Sequence, residues 1–287
     1  MGFGMDTLVI HTGGIGDFLL ACPSLAHCAS PDQLDLLGRK DRLQLAVAGK
    51  RARRAYDLDE ADFHTIFNKP GPRLRAFLQP YEKAVVWMRD TGEIAAGLTR
   101  CGLSEVRCFP GLPPRDWARH ASDYYLNCLG APPAPPFRLA LPPVNESHDV
   151  IIHPGSGGSH KNWPLENFIA LAEALETAGR CVAWALGPAE EDIALPATAH
   201  RIFFTDLTDF ACALQNTALY IGNDSGITHL AAASGCRVIA IFGPTDPDIW
   251  APIGENVMVI KGHPWPTVQN LLQMLSSNGV RVVTSER

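Results

Sequence analysis

With 287 residues, 46% of them apolar and 19% charged, the chain has material for about two cored domains and does not have the composition of a disordered protein. A net charge of −6 sets aside the broad positive surface of a nucleic-acid binder. Eight cysteines without a CxxC pair point to free thiols in a reducing cytosol, not to a disulfide framework or a zinc site.

The opening residues, MGFGMDTLVIHTGG, carry no basic leader, and no apolar run exceeds strand length. Neither a signal peptide nor a membrane span is expected. Residues 7–11 read as a strand that breaks at TGGIGD, followed by a helix over 18–28 with Pro23 inside it as a kink. A weak strand over 34–37 follows. The next forty residues lean helical and carry Arg39, Lys40, Arg42, Lys50, Arg51, Arg53 and Arg54. Such a run is either a solvated face or a contact for phosphates on an acceptor or a membrane surface. Strands over 84–88 and 106–109, with helices over 93–100 and 120–129, continue the alternation of βαβ units around a parallel sheet.

Residues 131–143, APPAPPFRLALPP, hold six prolines and mark the domain boundary. The expected division is 1–145, 146–265, and a C-terminal helix and tail over 266–287 that could pack back on the first domain. The second half repeats the design, with strands over 149–153, 181–186, 202–204, 218–221 and 238–242 and helices over 165–178, 209–216 and 266–275. The predicted fold is therefore α/β, two Rossmann-like halves whose ligands belong at the carboxyl ends of the strands.

Chemistry concentrates in four loops of that kind. A strand feeding a helix through Asn223-Asp224-Ser225-Gly226 aims helix N-terminal amides and the positive end of the dipole at one point, which suits a phosphate or pyrophosphate; an ordinary capped turn would use the same residues. His229, one turn on, either donates to a phosphate oxygen or ties its own turn. The loop 155–164 is rich in Gly and Ser, including Ser156, and ends near Lys161, a point charge for a phosphate. It is not a P-loop, since GxxxxGK[ST] is absent. Glu190 and Glu191, following Gly187, could take the hydroxyls of a ribose or sit as solvated carboxylates at a helix start. Asp17, after Gly16, is either a general base or a helix cap. The GxG at 14–16 lacks the third glycine of a dinucleotide site. His153 and His160 have no partners at ligand spacing, so no metal is expected. Asp246-Pro247-Asp248 follows a Gly-Pro stop and reads as loop structure. No GxSxG elbow is present.

Taken together, LVIHTGGIGDFLLACPSL, YEKAVVWMRD, HASDYYLNCLG, VIIHPGSGGSHKNWPLENFIALAEAL and GNDSGITHLAAASG followed by FGPTDP resemble glycosyltransferase family 9, the heptosyltransferases of lipopolysaccharide core synthesis, in order along nearly the whole chain. The resemblance implies a GT-B fold, two Rossmann-like domains with parallel sheets facing across a cleft. It implies an inverting, metal-independent enzyme without cofactor that moves a heptose from ADP-heptose to a glycan or glycolipid acceptor. It matches Asp17 to the catalytic aspartate and Lys161 to the phosphate-binding lysine. Asp224, Ser225, Gly226 and His229 match the donor motif, and Glu190 or Glu191 the ribose contact. A cytoplasmic protein touching the inner-membrane surface is expected. The chain departs from the family in its short first domain, at His11 and Thr12, and in Ser-Gly-Gly-Ser at 156–159, which bears on the acceptor and the sugar. A transferase for another nucleotide sugar, a binding protein without transfer activity and a dinucleotide-dependent oxidoreductase are the competing readings.

Overall fold

The computed structural model describes residues 6–135, 137–142 and 144–282. The expected tail beyond 282 and the linker prolines Pro136 and Pro143 lie outside the described residues. The chain divides into two compact units, Met1–Ala140 and Leu141–Arg287.

In the first unit β1 (Asp6–His11) is followed by α1 (Ile15–Leu25), β2 (Leu34–Gly38), α2 (Lys40–Ala48), β3 (Arg54–Asp57), α3 (Pro72–Leu78), β4 (Tyr81–Trp87), α4 (Glu93–Arg100), β5 (Glu105–Phe109) and α5 (Ala121–Leu129). All strand pairings are parallel, in the order β3-β2-β1-β4-β5. A parallel sheet is covered on both faces, so its inner strands must be apolar throughout. Leu8, Val9, Ile10, Leu36, Leu37 and Val86 are accordingly buried. β1 and β2 draw close at their ends, where His11 pairs with Gly38 and any Cβ on Gly38 would lie 2.0 Å from the His11 carbonyl oxygen.

The first helix starts three residues earlier than expected, at Ile15, because Gly14 already serves as its N-cap. Asp17 therefore stands inside the first turn. Pro23 lies in the last turn of α1, where its missing N–H removes one i→i−4 backbone bond without ending the helix. β3 was not anticipated; its sequence RAYD is short, polar and at the sheet edge. The basic run is divided by this structure. Arg53 is bidentate on buried Asp35, at 3.0 and 2.7 Å, and also reaches Asp6 at 2.7 Å, while Tyr81 donates to Asp35 at 2.7 Å. Lys40 pairs with Glu60 at the surface at 3.0 Å.

The second unit runs β6 (His148–His153), α6 (Leu165–Thr177), β7 (Val182–Leu186), β8 (His200–Phe203), α7 (Leu207–Gln215), β9 (Thr217–Asn223), α8 (Gly226–Ala233), β10 (Val238–Phe242), α9 (Pro247–Trp250), β11 (Val257–Lys261) and α10 (Val268–Ser277). Its six-stranded parallel sheet has the order β11-β10-β9-β6-β7-β8. β11 was not anticipated. Leu271, Leu272 and Leu275 of α10 sit in the same core as Phe168 and Leu171 of α6 and Ile152 of β6. The C-terminal helix thus takes part in the second unit's core, where its apolar face adds to that sheet's cover.

In each unit the chain starts in the middle of the sheet, builds to one side, then crosses to the other. Strand order reverses between β1 and β4 in the first sheet and between β6 and β9 in the second. Loops leaving adjacent strands at such a reversal part to opposite faces, and the crevice between them is where α/β sheets bind ligands.

Candidate functional site

At the reversal in the second sheet, the loop after β6 meets the turn after β9. Asn223, the last residue of β9, is fully buried and joins them. Its Oδ1 accepts from Trp163 N at 2.9 Å, and its Nδ2 donates to Pro154 O at 2.7 Å and Gly155 O at 3.4 Å. Both ends of the loop 154–163 are thereby held to one side chain. The Trp163 indole donates in turn to Pro266 O at 2.8 Å, ahead of α10.

With the loop held so, Lys161 Nζ reaches Asp224 Oδ2 at 2.8 Å. The Asp224 side chain is 6% exposed and that of Lys161 32%. Ser225 caps α8: its Oγ accepts from Thr228 N at 3.3 Å and lies 3.0 Å from Thr228 Oγ1. Gly226 begins the helix. His229 is buried on its first full turn. Asp224 directly precedes the Ser225 cap, so the Lys161–Asp224 pair stands at the N-terminal end of α8, where the helix dipole is positive and suits an anion. Ser156 turns its hydroxyl into its own loop, at 2.7 Å from Gly158 O and 2.6 Å from Asn162 Oδ1, so that side chain shapes the loop.

The two acidic candidates separate. Glu191 is exposed. Glu190 is buried in a short 3-10 turn after β7, where its Oε2 accepts from Gly187 N at 3.0 Å. Its carboxylate lies against Gly155, where an added Cβ would stand 1.9 Å from Oε1. His153 is fully buried nearby and meets Ala185 O through Nδ1 at 3.0 Å. Burial holds its pKa below the ordinary histidine value against the opposing pull of the Ala185 carbonyl and the Glu190 charge. Lys161, Asp224, Asn223, Gly155, Glu190 and Gly187 thus form one connected set.

Asp17 lies at the corresponding reversal in the first unit. As third residue of α1 it folds back, and its Oδ2 accepts from Gly14 N at 2.8 Å. This is a helix-capping contact, and it leaves the carboxylate on the wall of a cavity of about 780 Å³. Thr12, Arg89, Asp90, Cys108 and Arg115 also line this cavity. Asp90 is committed elsewhere: burial pushes its carboxyl up, but N–H donors from Ile94, Ala95 and Gly92 outweigh burial and hold it below its ordinary value. Burial pushes the Cys108 thiol up to about 12, with the Asp90 charge adding to the effect, so Cys108 is a poor nucleophile.

Beneath Asp17, His11 ends β1 in an aromatic cage, its ring centroid 5.4 Å from Phe18, 6.5 Å from Trp87 and 6.1 Å from Tyr125. Burial first, and the Arg42 charge second, lower its pKa to about 4. A neutral imidazole fits the contact observed, since its Nδ1 accepts from Gly13 N at 3.3 Å. Among the described residues no group of three or more His, Cys, Asp or Glu side chains converges as a metal-binding set. Asp246 caps α9 and meets Lys261 at 3.4 Å.

Sequence reasoning picked out Lys161 and Asp224 but not their pairing, and it passed over Asn223 and Arg42. Asn223 stood within the quoted NDSG turn, and a carboxamide at the buried end of a strand was the available signal.

Comparison with known proteins bears on both units. Residues 133–274 match the model of glycosyltransferase family 9 (heptosyltransferase). Lipopolysaccharide heptosyltransferase 3 of Escherichia coli K12 is 29% identical over 126 residues, 39% of this chain and 36% of that protein. The matched stretch spans about a third of the length of the first curated relatives. The solved ADP-heptose lps heptosyltransferase II of E. coli superposes with a TM-score of 0.75 at 18% identity, covering 95% of this chain and 98% of that one. E. coli heptosyltransferase WaaC with ADP gives 0.72 at 20% identity, covering 96% of this chain and 100% of that one. At these identities the likeness shows the fold, two Rossmann-like units of the GT-B class.

Proposed function

We propose that this chain, whose residues 133–274 belong to glycosyltransferase family 9, is an inverting glycosyltransferase that moves a heptose from ADP-heptose to a hydroxyl of a lipopolysaccharide core or related glycan. The observation that carries this is the Lys161–Asp224 contact of 2.8 Å beside the N-terminus of α8. A cation, a helix dipole end and a small-residue loop meet there, as a diphosphate leaving group requires. The matched relatives include a lipopolysaccharide heptosyltransferase and an enzyme solved with ADP, which supports the choice of donor and acceptor class.

The chemistry follows from the charges. Asp17 takes the proton of the acceptor hydroxyl as its oxygen bonds to the anomeric carbon. The bond from that carbon to the diphosphate oxygen breaks on the opposite face, ADP leaves, and the configuration inverts. Negative charge grows on the diphosphate, and the Lys161 ammonium and the N–H groups of α8 stabilise it. The side chain of Lys161 passes from Asp224 to the phosphates as donor binds, leaving the Asp224 carboxylate for sugar hydroxyls. Glu190, buried beside Gly187, serves the ribose, and Glu191 does not. His229 supports the α8 turn from within. No metal or cofactor takes part in these steps.

All eight cysteines are free thiols, which supports a reducing compartment. No described helix is long and apolar enough to cross a membrane. Exposed Arg39 and Arg54 remain available for peripheral contact with the anionic cytoplasmic face of an inner membrane.

Calorimetry with ADP, UDP, GDP and NAD tests the donor, and transfer to truncated lipopolysaccharide cores tests the reaction. Preference for ADP is expected, with Asp17→Asn binding ADP as the wild type does and losing transfer by about 10²–10⁴-fold. NAD binding without ADP preference would sink the donor assignment, and near wild-type transfer by Asp17→Asn would sink the base.

A further inference from the structure

The peptide unit between Gly13 and Gly14 is bonded at both ends. Its carbonyl, Gly13 O, accepts from Arg42 Nη1 at 2.6 Å, and its amide, Gly14 N, donates to Asp17 Oδ2 at 2.8 Å. One peptide therefore lies between a guanidinium and the carboxylate that faces the cavity. Hydrogen bonds in series polarise one another. A cation on the carbonyl draws electron density from the amide and makes Gly14 N–H a stronger donor to Asp17.

The surroundings are built for this arrangement. The preceding peptide is held as well, with Gly13 N on His11 Nδ1 at 3.3 Å and His11 wedged in its aromatic cage. A Cβ on Gly13 would lie 2.8 Å from His11 Cε1 and 2.9 Å from Asp17 Cβ, and one on Gly14 3.2 Å from Asp17 Oδ2. The two glycines give the carboxylate room to fold back, but two adjacent glycines are also the most easily rotated backbone. Something outside the turn has to hold the peptide plane, and Arg42 reaches across from α2 to do so. Its nearest acidic neighbour is the half-exposed Asp41, at 4.0 Å from Nε, a weak contact beside the short bond to Gly13.

We propose that Arg42 is a positioning residue for transfer. Through the Gly13–Gly14 peptide it anchors Oδ2 of Asp17, so that the other carboxylate oxygen is presented to the acceptor hydroxyl. This role rests on Asp17 being the base. Arg42 touches no reacting atom; its removal releases the peptide plane and lets the carboxylate leave its orientation.

The test uses the full chain, ADP-heptose as donor and heptose-free lipopolysaccharide core as acceptor, with ADP release as the readout. Arg42→Ala is expected to lower kcat by about 10²-fold, the scale of misplacing a reacting group, with ADP affinity unchanged by calorimetry. Arg42→Lys keeps a charged donor and is expected to recover most of the rate. Free guanidinium added to Arg42→Ala is expected to restore activity saturably, which a purely structural defect would not allow. Wild-type kcat in Arg42→Ala overturns the proposal, as does failure of both lysine and guanidinium to restore activity in protein that still binds ADP. Asp17→Asn is measured alongside: near wild-type transfer there overturns the base itself, whereas loss of transfer in Asp17→Asn with full kcat in Arg42→Ala overturns only the role of Arg42.

Discussion

Lys161 Nζ and Asp224 Oδ2 lie 2.8 Å apart although the residues are 63 positions apart in the chain. Strand order brings them together: each follows one of two adjacent strands, β6 and β9, at the reversal of the sheet. Lys161→Ala removes the cation and leaves a buried carboxylate unpaired. Turnover is expected to fall by about 10²–10³-fold. Asp224→Ala and the double variant complete a cycle, with a coupling of about 0.5–3 kcal/mol in ADP affinity read by calorimetry. Strictly additive losses would mean that the two side chains act separately.

Asn223 holds the loop that carries Lys161, yet touches neither charge. Asn223→Ala leaves Trp163 N, Pro154 O and Gly155 O without their side-chain partner. Each buried group so orphaned costs about 1–3 kcal/mol. The urea midpoint of the second unit should fall, and ADP binding should weaken with it. Unchanged unfolding would show that the loop keeps its place by other contacts.

Gly155 admits the Glu190 carboxylate by having no side chain. Gly155→Ala should expel that carboxylate and cost roughly tenfold in ADP affinity, the scale of a lost charged hydrogen bond. Inorganic pyrophosphate affinity should stay as it is. Equal losses for both ligands would place Glu190 outside ribose binding.

His11 sets an acid limit on the first unit. Its folded-state pKa of about 4 lies below the ordinary 6.5. Above 6.5 the imidazole is neutral in both the folded and unfolded chain and has no pH effect. As pH falls from 6.5 to 4 the unfolded chain takes up a proton that the folded one refuses, so stability is lost, by up to about 3 kcal/mol. Melting of the wild type and of His11→Gln, compared between neutral pH and pH 4.5, reads this directly. The substituted protein should lose less over that interval, and parallel curves would remove His11 as the cause.

Much of this was legible in the sequence because buried parallel strands are short apolar runs and their carboxyl-end loops are rich in glycine. β10 and α4 fall where the pattern placed them. β3 was hidden because an edge strand reading RAYD has no apolar run to show. β11, VMVIK, is apolar but stands in a stretch, between the Gly-Pro stop and the C-terminal helix, to which the pattern assigned no element. Residue types at the candidate positions of each unit could be read one loop at a time, so Asp17 in the first and Lys161 and Asp224 in the second stood out. Their partners could not, because the bonds from Arg42 to Gly13 and from Asn223 to Pro154 join residues 29 and 69 positions apart. Glu190 and Glu191 differ by one residue in sequence, and a single 3-10 turn decides which is buried.

Lys161 already carries a counter-anion, Asp224, at the place where the proposed function puts a phosphate. An arriving diphosphate exchanges with Asp224 for the same ammonium, so the gain is the difference between two attractions and not a whole new one. Salt screens the partly buried Lys161–Asp224 pair little, and the arriving ligand more. On the proposed function, the donor therefore gains less from this lysine than an unpaired ammonium would give it.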